Sequence, residues 1–196
     1  VDEIRLAKAF ARANNCYGAE SYIQGFSGYA LELLVIHYGS FKNLIKNAAN
    51  WKQKELIGRK ELIERLNYSK KVSPLILLDP VQPDRNATAA LSKEKYNLFI
   101  KACKAYLRNP SDDFFEKKEI NFDKLRKQGK LVLLEIVPKK GKPDVVGAKI
   151  LKVYNYIKNA LVSNEFKIIK SGWEWKKKAL LYFLLEDKKL SERIKH

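Results

Sequence analysis

Apolar side chains recur at helical spacing from the start of the chain. In "VDEIRLAKAFARANN", Ile4, Leu6, Ala7, Phe10 and Ala11 follow that spacing, and Asp2 stands where an N-cap would. Asn14 and Asn15 end this helix and Tyr17-Gly18 turns the chain. Gly25, Gly28 and Gly39 then bracket an apolar helix around Leu31 to Ile36, and Ser40 is placed to cap the next, "FKNLIKNAANWK". The segment "KELIGRKELIERLNYSKK" is basic and only weakly periodic, so helix and loop both stay open there. "SPLILLDP" reads as a short buried strand. Ser92 can cap "KEKYNLFIKACKAYLRNP", in which Tyr96, Phe99, Ile100, Cys103, Tyr106 and Leu107 line one face and Pro110 stops the helix.

From about residue 111 the pattern changes. Two short helical pieces, "SDDFFEKK" and "NFDKLRKQG", lead into the strand "KLVLLEIV" and the turn "PKKGKP". A long helix follows, with Val146, Ile150, Val153, Tyr154, Ile157 and Leu161 on one face and Lys149, Lys152 and Lys158 opposite. "EFKIIKSG", "WEWKKK" and "ALLYFLLE" then read as strands, with a turn at Gly172 between the first two. The spacing therefore predicts an α+β fold: a mainly helical domain over 1–110, then a small α/β domain over 111–196 in which a helix lies on a sheet. The closing "DKKLSERIKH" reads as a truncated linker.

Charge narrows the choice of partner. The 196 residues suffice for one large or two small cores, and 39 Lys and Arg face 22 Asp and Glu for a net +17. Such a balance favours a polyanion, either nucleic acid or an anionic membrane surface, over the plainer reading of a lysine-rich soluble surface. No apolar run approaches the roughly 20 residues of a spanning helix, and no signal-peptide pattern opens the chain. Cys16 and Cys103 sit in amphipathic segments, which argues against a disulfide framework and for a reducing cytoplasm. The chain lacks methionine and begins at Val1 inside a helical pattern, as a piece of a longer protein would. The only histidines are His37 and His196, without cysteines at metal-ligand spacing, so neither a metal site nor a histidine triad is expected.

Candidate chemistry is of the binding kind. Asp112 and Asp113 read as helix-capping residues rather than metal ligands, and no Walker-type loop is present. Lys8 lies away from the Phe10 and Ala11 face and shortly before Tyr17. A mobile ammonium and a phenol hydroxyl suit terminal phosphates, against the plainer reading of a solvated lysine. In "LLDPVQPDRNATAALS" two prolines stiffen a turn that displays Arg85 between Asp79, Asp84 and small residues. Its planar fork can meet a base edge or a phosphate, or simply pair with Asp79 or Asp84. The run Gly-Phe-Ser-Gly-Tyr can bring backbone amides to an anion or serve helix packing. Trp173 and Trp175 alternate onto one strand face, where core burial outweighs base stacking.

"RLAKAFARANNCYGAE", "GFSGYALELLVIHYGSF" and "DPVQPDRNATAALS", in this order and spacing, resemble the archaeal CCA-adding enzymes, the archaeal-type tRNA nucleotidyltransferases. "KPDVVGAKI" and the pattern around "ALLYFLLE" resemble that family's C-terminal body domain. The resemblance implies that 1–110 is the central, or neck, domain and 111–196 most of the tRNA-binding body. The catalytic head, with carboxylates for Mg2+, would lie outside this chain, leaving no catalytic residue here and the chain alone inactive. It implies that Lys8 and Tyr17 contact the triphosphate of CTP or ATP, and that Arg85, helped by Asp79 and Asp84, reads the base together with the RNA backbone. Asn15 stands where the family commonly has glycine. Lys149, Lys152 and Lys158 would meet tRNA phosphates. The implied reaction is template-free addition of C, C and A to a tRNA 3′ end with release of pyrophosphate, by a cytoplasmic enzyme whose homodimerisation is left open. A poly(A) polymerase or oligoadenylate synthetase, or a stand-alone RNA-binding module, are the alternatives.

Overall fold

A computed structural model describes residues 1–117 and 119–187 of the chain. The expected linker beyond Asp187 lies outside the described residues. Among the described residues, seven α-helices, α1 (Asp2–Ala13), α2 (Gly28–Tyr38), α3 (Phe41–Ala48), α4 (Lys60–Arg65), α5 (Lys93–Arg108), α6 (Phe122–Arg126) and α7 (Pro143–Ser163), are interspersed with five strands. The strands are β1 (Glu55–Ile57), β2 (Leu75–Leu77), β3 (Lys130–Ile136), β4 (Ile168–Trp175) and β5 (Ala179–Leu185). The fold is α+β, and the chain divides into two compact units, Val1–Lys118 and Glu119–His196.

The first unit is built around Phe10. Its ring has Phe41 at 5.6 Å, Tyr106 at 5.7 Å, Phe115 at 5.8 Å and Phe99 at 5.9 Å in edge-on contact. Such aromatic pairs add about 0.5–1.5 kcal/mol each beyond their buried area. Phe114 stacks on the same ring, and Asn14 Nδ2 donates to the Phe114 carbonyl at 3.0 Å. These contacts carry the unit past the change of pattern at 111. Asp112 and Asp113 open a short 3-10 turn behind Ser111 rather than capping a helix. Ser27, Ser40 and Ser92 accept from the amides of Ala30, Asn43 and Lys95, fixing where α2, α3 and α5 begin. Asp2 does not cap α1; it lies in the first turn, 3.4 Å from Arg5. The segment left open contains β1 and α4, and β1 pairs in parallel with β2, whose three residues are all buried.

In the second unit the sheet order is β3-β5-β4, antiparallel throughout. Alternation places Ala179, Leu181, Phe183 and Leu185 against Val146, Ile150 and Tyr154 of α7, and Tyr182 and Leu184 against Leu125 of α6. Strand β5 is covered on both faces, which is why "ALLYFLL" is apolar without a break. Trp173 and Trp175 pack, partly buried, on the α7 side. The expected turn at Gly172 is absent: β4 runs through it, and the chain reverses at Lys176–Lys178. Gly172 lies opposite Tyr182, whose hydroxyl would stand 2.6 Å from a Cβ placed there. The glycine makes room for a ring, not for a turn.

Candidate functional site

The ends of α1 and the start of α2 meet through a short ribbon. Phe26 N–H donates to the Cys16 carbonyl at 2.7 Å and Gly18 N–H to the Phe26 carbonyl at 2.8 Å. A bridge between Tyr17 and Phe26 brings the tyrosine alongside the first residue of α2. A Cβ at Gly28 would lie 3.1 Å from the Tyr17 hydroxyl, 3.5 Å from Lys8 Cε and 3.6 Å from Lys8 Nζ. Lys8 and Tyr17 therefore converge on a helix N-terminus kept open by a glycine. Free amides and the helix dipole favour an anion at that position. Lys8 is not a freely solvated lysine: its Nζ lies 2.6 Å from Glu32 Oε1, one turn along α2. The Arg12 guanidinium lies over the Tyr17 ring, 4.3 Å from its centroid, adding a second cation beside the phenol.

Arg85 is held by a bracket around Asp79. The Asp79 N–H donates to the Arg85 carbonyl at 3.0 Å, and the Arg85 N–H to the Gln82 carbonyl at 2.9 Å, closing the loop. The Asp79 carboxylate is 1% exposed. Its Oδ1 accepts from the Tyr29 hydroxyl at 2.8 Å and the amides of Val81 at 2.9 Å and Gln82 at 3.2 Å. Burial alone would raise its pKa. The Val81, Tyr29 and Gln82 hydrogen bonds and the Arg85 charge outweigh it and hold the carboxyl below the ordinary carboxylate value. The same bond raises the Tyr29 phenol above its ordinary pKa, ahead of the smaller effects of burial and the Asp79 charge. Arg85 Nη1 sits 3.7 Å from Asp79 Oδ2, and the guanidinium lies 5.8 Å from the Tyr29 ring centroid. Asp84 has no part in this bracket. It turns outward to Lys70, whose Nζ lies 3.4 Å from its Oδ2 and also bonds its carbonyl.

Behind the loop, Asn86 is the buried peg. Its Oδ1 accepts from the amides of Leu77 and Thr88, both at 3.0 Å, and its Nδ2 donates to the Lys70 carbonyl and Ser73 Oγ. The strand that ends at Asp79 and the segment that leaves Arg85 are thus tied by one side chain.

Gly28 and Tyr29 are consecutive. Lys8 and Tyr17 meet α2 at the first, and Asp79 with Arg85 meets it at the second. Four of the expected site residues are gathered on one helix turn. Tyr29, Glu32, Arg12 and Asn86 were not singled out from the sequence. Glu32 carried a signal, as the one acid in the apolar run "GYALELLVI". Lys149, Lys152 and Lys158 belong to the second unit, exposed along α7, with Lys158 Nζ 5.9 Å from the Tyr154 ring centroid. Among the described residues no group of three or more His, Cys, Asp or Glu is placed to hold a metal ion. The described donors do not fit a metal pair. No described helix is long and apolar enough to cross a membrane. Both cysteines are buried thiols, with the Cys16 pKa pushed up to about 12 by burial, against a smaller lowering by Lys95.

A family model described as "tRNA nucleotidyltransferase, second domain" matches residues 2–116. The CCA-adding enzyme of Saccharolobus shibatae is 37% identical over 193 residues, covering 97% of this chain and 45% of that protein. The CCA-adding enzyme of Methanocaldococcus jannaschii is 36% identical over 179 residues, covering 87% of this chain and 40% of that protein. For the CCA-adding enzyme of Methanosarcina mazei the figures are 35% over 195 residues, 94% and 41%. The chain spans less than half the length of these curated relatives.

Proposed function

From the premise that this chain belongs to the tRNA nucleotidyltransferase family, we propose that it is the substrate-holding part of an enzyme that adds CCA to tRNA 3′ ends from CTP and ATP. The observation that carries the reading is the meeting of Lys8, Tyr17, Asp79 and Arg85 on the first turn of α2. Lys8 and the Tyr17 hydroxyl take the triphosphate against the free amides of α2. Lys8 exchanges part of its bond to Glu32 for phosphate oxygens as it does so. Arg85, on its stiff loop, presents a planar fork to the base and to the RNA backbone beside it. Mg2+, where the reaction uses it, is held by carboxylates outside this chain, which alone is inactive. It would neutralise charge on the reacting phosphate while the tRNA 3′ hydroxyl displaces pyrophosphate. Lys149, Lys152 and Lys158 lie against tRNA phosphates.

The test is single-turnover addition by the intact protein. Lys8→Ala removes a charged hydrogen bond of about 1.5–3 kcal/mol, so KM for CTP and ATP should rise together by roughly ten- to a hundredfold. Arg85→Ala should erode discrimination between CTP and ATP while tRNA affinity holds. An effect of Lys8→Ala on one nucleotide alone, or unchanged discrimination in Arg85→Ala, refutes the assignment. A product with a long or 2′-linked adenylate tail in place of a discrete CCA end would move the protein to the polymerase alternative.

A further inference from the structure

The register of the second sheet brings together two lysine runs that lie far apart in sequence. Ala179, the first residue of β5, is paired on one side with Ile136, the last of β3, and on the other with Trp175, the last of β4. The segment after β3 and the turn after β4 therefore leave the same end of the sheet. The first carries Lys139, Lys140 and Lys142, and the second is Lys176, Lys177 and Lys178. All six are exposed. Strands β3 and β4 flank β5, so the strand ends from which the two runs leave stand about 10 Å apart, two strand spacings. Helix α7 begins at Pro143, directly after the first run, and adds the positive end of its dipole. The carboxylates nearest the two runs in sequence are Glu135, Asp144 and Glu174, half as many as the lysines. Among the described residues, Lys178 alone of the six has an ion pair, to Glu135 at 2.7 Å.

We propose that this lysine-rich end of the β3-β5-β4 sheet is a docking surface for the phosphate backbone of an RNA stem. The inference rests on the RNA-binding reading above and moves the main backbone contact from the α7 face to the sheet end. The ligand class follows from the chemistry. Lysines are compact charges that meet phosphates without reading sequence, and unpaired ones release counterions from a polyanion on binding. A membrane surface would call for a broad apolar face beside the cations, and this end of the sheet exposes just Val137 and, in the first turn of α7, Val145.

The test uses the full chain with Lys139→Ala, Lys140→Ala, Lys176→Ala and Lys177→Ala combined, which leaves the Lys178–Glu135 pair in place. Binding of an acceptor-stem minihelix is measured from 50 to 200 mM salt. Affinity should fall more than about tenfold at the low end, and the slope of log K against log salt should shrink by about three. The four corresponding Lys→Arg changes should keep both. A wild-type slope in the alanine variant overturns the proposal. So does binding of phosphatidylserine vesicles but not the minihelix through these lysines. CTP affinity separates this proposal from the nucleotide site. If Lys8→Ala leaves it unchanged while the sheet-end variant loses RNA, the nucleotide assignment fails and the docking surface stands.

Discussion

Replacing Asn86 by alanine should damage the first unit more than any single surface change, and the cost can be worked from its bonds. The side chain is 3% exposed. It accepts from two backbone amides, Leu77 in β2 and Thr88 in the following turn, and donates to the Lys70 carbonyl and Ser73 Oγ. Alanine removes the acceptor of both amides, and each buried unmet donor costs about 1–3 kcal/mol. A water entering the vacated volume recovers part of that, so a net loss of about 3 kcal/mol is expected. This is a large share of the roughly 5–15 kcal/mol that holds a typical domain together. Trp51, stacked on Tyr96 at 5.8 Å in the first unit, reports its unfolding once Trp173 and Trp175 are replaced by phenylalanine. The urea midpoint should fall with the m-value unchanged. Asn86→Asp keeps an acceptor for Leu77 and Thr88 but sets a second oxygen against the Lys70 carbonyl. It should be at least as damaging near neutral pH and recover on acidification, when the carboxyl gains a proton to donate. A loss under about 1 kcal/mol in Asn86→Ala would refute the account of Asn86 as the peg behind the Arg85 loop.

Gly28→Ala should separate stability from binding. Alanine is the better helix former by up to about 1 kcal/mol, yet its methyl would press on the Tyr17 hydroxyl at 3.1 Å and fill the ground beside Lys8. Unchanged or higher stability with weaker CTP and ATP binding is expected, and unaltered nucleotide affinity counts against the anion site. Asp79→Asn tests the buried charge. Because the folded pKa of Asp79 is lowered, its contribution is present above the unfolded value and is lost as pH falls through the folded one, below about 4. The stability gap between wild type and Asp79→Asn should narrow between pH 6 and pH 3, and a constant or widening gap in urea midpoints would contradict the shift.

What the chain's pattern conveys well is amphipathic length. The spacing of apolar residues located α1, α2, α3, α5 and α7, and Ser40 and Ser92 marked the starts of α3 and α5. What it conveys poorly is which core a short segment joins. Phe114 and Phe115 read as part of a new domain and instead close around Phe10, a hundred residues back, by contacts no local period encodes. The three-residue β1 is too short for a period of two, and its parallel pairing with β2 depends on the intervening chain. Gly172 read as a turn because glycine in a strand is costly, and only the facing Tyr182 ring supplies the reason to keep it. In the site, Lys8, Tyr17, Asp79 and Arg85 were legible as residue types. Their common meeting place was not, since Tyr29 reaches Asp79 across fifty positions. Asp84, adjacent to Arg85 in sequence, was one of its two candidate partners beside Asp79, but its side chain turns to Lys70.

The two cations of the site stand in different states, and the difference bears on what each can do. Lys8 is close to Glu32 at 2.6 Å, the length of a strong charge-assisted bond, so a phosphate must compete with a carboxylate already in place. Such competition favours ligands with several negative oxygens, which regain what the exchange loses, over singly charged ones. Arg85 is the opposite case. Asp79 directs its Oδ1 to Tyr29, Val81 and Gln82, and its Oδ2 stands 3.7 Å from Arg85, beyond a good hydrogen bond. The carboxylate steers the guanidinium by charge without occupying its donors, and the Arg85 side chain remains 55% exposed. A planar fork with its donors free suits a partner that is read by geometry, whereas a paired ammonium suits one that is held by charge. Both meet α2 on consecutive residues, where the helix turns by about 100°. On the proposed reading, a ligand held by phosphate at Gly28 would have Arg85 on the adjoining face, and the strength of the first grip would set how firmly the second could discriminate.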